Sequence, residues 1–434
     1  MDYFLYKNGE LFCEEINLQE IAKEFGTPAY VYSKKTIERH IDVYKNAFQK
    51  KDSLICFSVK SLSNISILNI LKEKDCGFDI VSGGELQRAL HIKTNPKKII
   101  FSGVWKSNEE ILKGINNEIL SFNIESESEL FRIEKIASEN NKVVDVAIRF
   151  NPEVDSGGHE YIKTGRKGDK FGISPNDLVL KLSHYIYNSK HLRLIGLACH
   201  IGSQIGDLES YKSTAINIRQ LAEEIDKTGN ELKFLDLGGG LGIPYNNDKT
   251  PSPDDLVSTI EEQLKNRNEK IILEPGRSIT GNAGILLTKV EYIKDNFLVV
   301  DAAMNDLLRP ALYDAKHDIW NLKQNDSDTK KWTIVGPICE SSDILAKDHE
   351  MNASEGDILA IKTAGAYGFV MSSNYNSRVR APEILVDNNQ YTVIRKRESF
   401  EDLIRNEVDL NDWVWEMAWE WKWLCYCKFN WTRA

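Results

Sequence analysis

The sequence predicts a parallel (β/α)8 barrel of the TIM type joined to a smaller β-rich domain. Three observations point there. Eight short apolar runs alternate with amphipathic stretches between about residues 53 and 277. Five of those runs end in Gly, Lys, His or acidic residues, where a loop with chemistry is expected. After residue 280 the alternation gives way to short strands separated by Gly, Asp and Asn. Strands alternating with helical patterns indicate parallel βα units, and eight such units suit a closed barrel.

The runs, in order, are LICFSV (54–59), FDIV (78–81), KIIF (98–101), ILSFNI (119–124), VVDVAIRF (143–150), LIGLAC (194–199), FLDL (234–237) and KIIL (270–273). Helix starts fall between them. Ser107 with Glu110, and Ser126 with Glu129, have the spacing of capping boxes. From Tyr211 to Asp226 the residues Ala215, Ile218, Leu221, Ala222 and Ile225 share one helical face. The barrel is therefore placed at residues 33–279. Residues 280–409 form the β-rich domain, to which residues 1–32 are expected to add strands. The last segment, 410–434, holds six of the nine tryptophans and matches neither part in composition. It reads either as an amphipathic partner- or membrane-facing helix or as an extension without a selected role.

The chain of 434 residues carries a formal net charge of −10. An acidic chain argues against nucleic acid as partner, since phosphate backbones need a basic face. Acids at positions 14 and 15 interrupt any leader-like start, and no apolar stretch approaches the length of a membrane span. Seven dispersed cysteines fit reduced thiols of a cytoplasmic protein better than a disulfide framework. The Cys425/Cys427 pair lacks further ligands nearby, so no metal site is expected.

The strand ends carry the candidate chemistry. Lys60 follows the first run, where an amine can form an imine with a carbonyl compound. Read alone it is more readily a solvated surface lysine. Gly238-Gly239-Gly240 follows the seventh run without the spacing of a dinucleotide fingerprint, and suits a turn offering N–H groups to one phosphate. Glu274-Pro-Gly276-Arg277 follows the eighth. Arg277 can grip a carboxylate or phosphate, and Glu274 can hold a proton on a ring nitrogen. His200 can stack on a flat ring. Cys339 can donate a proton and Glu340 can partner an ammonium.

Together FSVKSLSN, GFDIVSGGEL, HIGSQI, DLGGGLGI, EPGRSITGNAG, GPICESSD and GAYGF resemble the diaminopimelate decarboxylase family, of the alanine-racemase-like class of pyridoxal 5'-phosphate (PLP) enzymes. The resemblance runs from about residue 5 to 408. It implies a homodimer that converts meso-diaminopimelate to L-lysine and CO2, the last step of lysine biosynthesis. It implies that Lys60 holds PLP as a Schiff base, that His200 stacks on the ring and that Glu274 faces the ring nitrogen. Ser203, Gly239, Gly240, Gly276 and Arg277 would hold the phosphate with Tyr367. Arg277, Arg309, Tyr313, Glu340 and Tyr367 would bind substrate, and Cys339, reaching the neighbouring subunit's site, would return the proton. Related ornithine, arginine or lysine decarboxylases are the nearest alternative; Glu340 stands where the ornithine-type relatives carry Asp. A catalytically silent, partner-binding relative is a third reading, disfavoured by the intact Lys60, Glu274, Arg277 and Cys339.

Overall fold

The computed structural model describes residues 2–48, 51–155, 164–166, 168–245, 249–324 and 328–409. All eight apolar runs are strands: Ser53–Ser58, Gly77–Ile80, Ile99–Phe101, Ser121–Ile124, Val144–Arg149, Leu192–Ala198, Phe234–Asp236 and Lys270–Leu273. Each pairs in parallel with the next, and the eighth pairs with the first through Ile271 with Ser53 and Leu273 with Ile55, so the sheet closes. Strands buried on both faces need apolar residues at nearly every position, which is why they read as continuous runs.

Alternate residues point into the barrel. Leu54, Cys56, Ile100, Ala147, Ile195, Phe234 and Ile272 pack together as one small cluster, separate from the large cluster of residues such as Ile55, Phe78 and Leu235. Two residues further along the same face the chemistry changes. Cys56 is followed by Ser58, Ala147 by Arg149, Phe234 by Asp236 and Ile272 by Glu274, all buried. The barrel is thus plugged by apolar side chains and floored, at the C-terminal strand ends, by a polar layer.

The helices start where expected, with one difference. Ser107 and Glu110 form a complete capping box at Asn108–Asn116. At Glu127–Glu139 only half the box exists: Ser126 accepts from the Glu129 N–H, but the Glu129 carboxylate turns to the Glu125 N–H at 2.7 Å and to Lys106 at 2.7 Å. The buried Lys106 ammonium outcompetes the cap.

The β-rich part is organised by one long strand, Gly284–Lys294, which the apolar runs do not reveal. It pairs with Ala29–Ser33, Phe297–Val300 and Ile358–Ile361. Of the first thirty-odd residues, only Ala29–Ser33 joins this sheet, between Gly284–Lys294 and Glu383–Asp387. Phe4–Lys7, Glu10–Cys13 and Ile16–Asn17 instead form their own three-stranded sheet. Ala29–Ser33 is buried throughout, and its tyrosine hydroxyls are satisfied by the Asp306 carbonyl and the Glu383 carboxylate. No helix among the described residues is long and apolar enough to cross a membrane. The Trp-rich segment 410–434, with Cys425 and Cys427, lies outside the described residues.

Candidate active site at the C-terminal mouth of the barrel

A cavity of about 430 Å3 opens over the polar layer. Lys60, Arg149, His200, Ser203, Glu274, Arg277, Tyr313 and Tyr367 line it, with Trp105 at its rim. The residues from strands one, six and eight thus converge as their strand-end positions suggest.

Lys60 stands in a single helical turn, Val59–Ser61, directly after the first strand. Its Nζ lies 3.2 Å from Asp79 Oδ2, which also accepts the Ser58 hydroxyl at 2.7 Å. Asp79 is fully buried and its Oδ1 has no hydrogen-bond partner among the described residues. Burial works against the Lys60 ammonium, but Asp79, then Tyr367 and Glu274, outweigh it and raise its pKa above the ordinary lysine value. Asp79 therefore acts as the counter-charge that holds the amine in place. It was not singled out from sequence, although an acid inside the apolar run FDIV has nowhere to point except into the barrel.

Glu274 is buried and shares a hydrogen bond with the Asp236 carboxyl. Burial and the neighbouring Asp236 carboxyl push its pKa well above the usual carboxylate range. Asp236 is pushed up to about 7 by burial, against the pull of the Gly238 N–H at 2.9 Å. Two carboxyls in one dry site cannot both ionise, so the pair retains a proton. The sign for stability follows. The folded state holds a proton that an unfolded Asp releases near pH ~4. This contribution is present in acid and is lost as pH rises through about 7. In cofactor-free protein, Asp236→Asn should flatten the fall in melting temperature between mildly acidic and mildly alkaline buffer. Parallel melting curves for the two proteins would contradict it.

His200 accepts the Gly239 N–H on Nδ1 at 3.1 Å, which fixes its proton on Nε2. Burial, Lys60 and Arg149 all keep the ring neutral. Arg149, missed in the sequence, is held by the buried Glu125 at 2.6 Å. Glu125 also accepts the N–H groups of Gly103 and Gly172 at 3.1 and 3.0 Å, tying together two loops of the cavity wall.

The glycines form a cradle. Gly240 has φ +99°, and a Cβ there would lie 2.3 Å from the Gly202 carbonyl oxygen. At Gly276 a Cβ would come within 3.0 Å of Ser58 and Ser61. The helix Arg277–Thr280 begins at Gly276 with no side-chain cap, so its first N–H groups are left for a ligand. Arg277 donates to the Ser203 hydroxyl at 3.1 Å and to the Tyr245 hydroxyl at 2.5 Å, and its guanidinium lies over the Tyr367 ring.

Arg309 is not in the cavity wall beside Lys60. It is buried next to it, stacked at 4.6 Å on the Tyr245 ring that Arg277 also touches. Cys339 and Glu340 are exposed and do not line the cavity. The Cys339 N–H donates to Asn376 at 3.0 Å, and Glu340 accepts the Tyr375 hydroxyl. Among the other histidines, His40 is buried against the Ile279 carbonyl and His91 and His184 are exposed.

These features fit PLP on the chain's own terms: an amine held by a buried acid, a buried carboxyl that retains a proton, a neutral imidazole and a glycine cradle beside an arginine. Comparison with known proteins agrees. Residues 34–281 match the pyridoxal-binding domain of the pyridoxal-dependent decarboxylases. The diaminopimelate decarboxylase of Haemophilus influenzae is 46% identical over 411 residues, spanning 93% of this chain and 98% of that one. The Helicobacter pylori diaminopimelate decarboxylase complexed with L-lysine superposes with a TM-score of 0.88 at 41% identity, over 90% of this chain and 99% of that one. The M. jannaschii enzyme, also with L-lysine, gives 0.90 at 36% identity over 95% and 99%. With barrel, site and near full-length similarity in agreement, the chain belongs to the diaminopimelate decarboxylase family of PLP-dependent enzymes.

Proposed function

We propose that the protein decarboxylates meso-diaminopimelate to L-lysine and CO2 with PLP bound at Lys60, as a homodimer with shared active sites. The observation that carries this reading is the placing of Lys60 and Arg277 in one cavity, with Arg309 against the same tyrosine as Arg277. An amine that can hold the cofactor thus faces paired cations that can hold a carboxylate.

Bound PLP supplies the electron sink that accepts the pair left behind when the substrate's α-carboxylate departs. The chain's own residues do the rest. Lys60, held by Asp79, would anchor the cofactor and give way to the substrate amine. Glu274 would share with the ring nitrogen the proton that its buried carboxyl retains. His200, with its tautomer fixed, would pack against the ring. Ser203, Gly239, Gly240, the Gly276–Arg277 turn and Tyr367 would hold the phosphate. Arg277, Arg309, Tyr313 and Tyr367 orient the substrate. Cys339 and Glu340, exposed in a single chain, come from the second copy; Cys339 returns the proton to carbon and Glu340 receives the far ammonium. Binding at the far end of the substrate positions the scissile bond.

The test is CO2 release by PLP-loaded protein from meso-diaminopimelate, ornithine and lysine in parallel. Release from meso-diaminopimelate alone is expected. Faster release from ornithine would move the protein to the ornithine-type branch, and no release from any would leave the silent reading.

A further inference from the structure

His317 lies outside the cavity wall beside Lys60, is buried, and makes two hydrogen bonds that fix its chemical state. Its Nδ1 lies 2.8 Å from the Lys362 carbonyl oxygen, which can only accept, so Nδ1 carries the proton. Its Nε2 therefore has a free lone pair, and accepts from Arg309 Nη1 at 2.8 Å. The ring edge packs on Tyr245, whose face lies against Arg309 and whose hydroxyl accepts from Arg277. Among the described residues, the hydrogen-bond partners of the two guanidiniums are Ser203, Tyr245 and His317, and none is a carboxylate. The Nε atoms of both arginines are buried without an acceptor.

Buried arginines are ordinarily paired with carboxylates. Here a residue that could be Asp or Glu is a histidine holding the guanidinium by a lone pair without cancelling its charge. We propose that His317 is a positioning residue that keeps Arg309 an uncompensated cation and so selects ligands whose far end carries a carboxylate. This rests on the assignment of the Lys60 cavity to amino-acid decarboxylation. Burial and Arg309 together push the His317 imidazole down to about 3, so it stays neutral at working pH.

The experiment compares PLP-loaded wild type, His317→Gln and His317→Asp by calorimetric binding of L-lysine, which has a carboxylate, and cadaverine, which has none. Asp places an anion on Arg309. It should weaken L-lysine at least ~10-fold while leaving cadaverine unchanged or tighter. In turnover the same variant should raise KM with kcat nearly unchanged. Gln keeps an acceptor for Arg309 and should retain the wild-type preference for L-lysine within about threefold. Equal weakening of both ligands by Asp, or lost preference in Gln, overturns the proposal. If the Asp variant does not fold, as judged by melting temperature, the Gln variant decides alone. Failure of wild type to bind L-lysine would instead overturn the parent assignment.

Discussion

Lys60→Ala protein is expected to release no measurable CO2 from meso-diaminopimelate and to lose the long-wavelength absorbance of an imine-bound cofactor. In the proposed mechanism Lys60 is the covalent holder of the cofactor and the amine that takes product off, and a methyl group supplies neither role. The fold should survive. The Lys60 side chain keeps 37% of its surface open to the cavity, so its removal leaves no sealed void. Asp79 still accepts from Ser58. Far-UV circular dichroism should overlay on wild type, and turnover retained at more than a trace would refute the role given to Lys60.

The second large effect appears on mixing. Cys339→Ala alone should also be nearly inactive, because the proposed proton donor is gone, while its exposed position makes the change harmless to packing. In a dimer with shared sites, the Lys60 lesion and the Cys339 lesion fall in the same site of a mixed pair. The other site is then intact. Random assortment of equal amounts makes half the dimers mixed, each with one good site, so about a quarter of wild-type activity should return. Co-expression of differently tagged chains, followed by purification on both tags, gives the cleanest measurement. A doubly tagged dimer without activity would show that each chain completes its own site.

Much of the barrel was legible because burial on both faces makes each parallel strand a continuous apolar run. The strand Gly284–Lys294 was not, since GILLTKVEYIK carries spacings that suit a helix as well as a strand. Only its three strand partners decide the matter. In the site, Lys60, His200, Glu274 and Arg277 stood out because each follows an apolar run directly. Asp79, Arg149 and Asp236 lie inside the strands. They become visible only once the inward face is known, as the polar residues that succeed Gly77, Ala147 and Phe234 on that face. Tyr245 and His317 needed the tertiary structure outright, because their meaning lies in what they do to Arg277 and Arg309. Cys339 and Glu340 are readable as a motif, yet one chain gives them no cavity to face.

The seam of the barrel has a consequence for how the protein is born. Strand eight closes on strand one, and Lys60 and Glu274 stand on opposite sides of that join. No contiguous fragment lacking either strand contains the site. At ~5–20 residues per second, synthesis from position 60 to position 274 takes roughly 10–40 s. Throughout that interval the ribosome holds a chain whose Lys60 lacks Glu274 and the Gly276 turn. Cofactor capture must therefore follow the completion of the ring, as a late event in the life of each molecule.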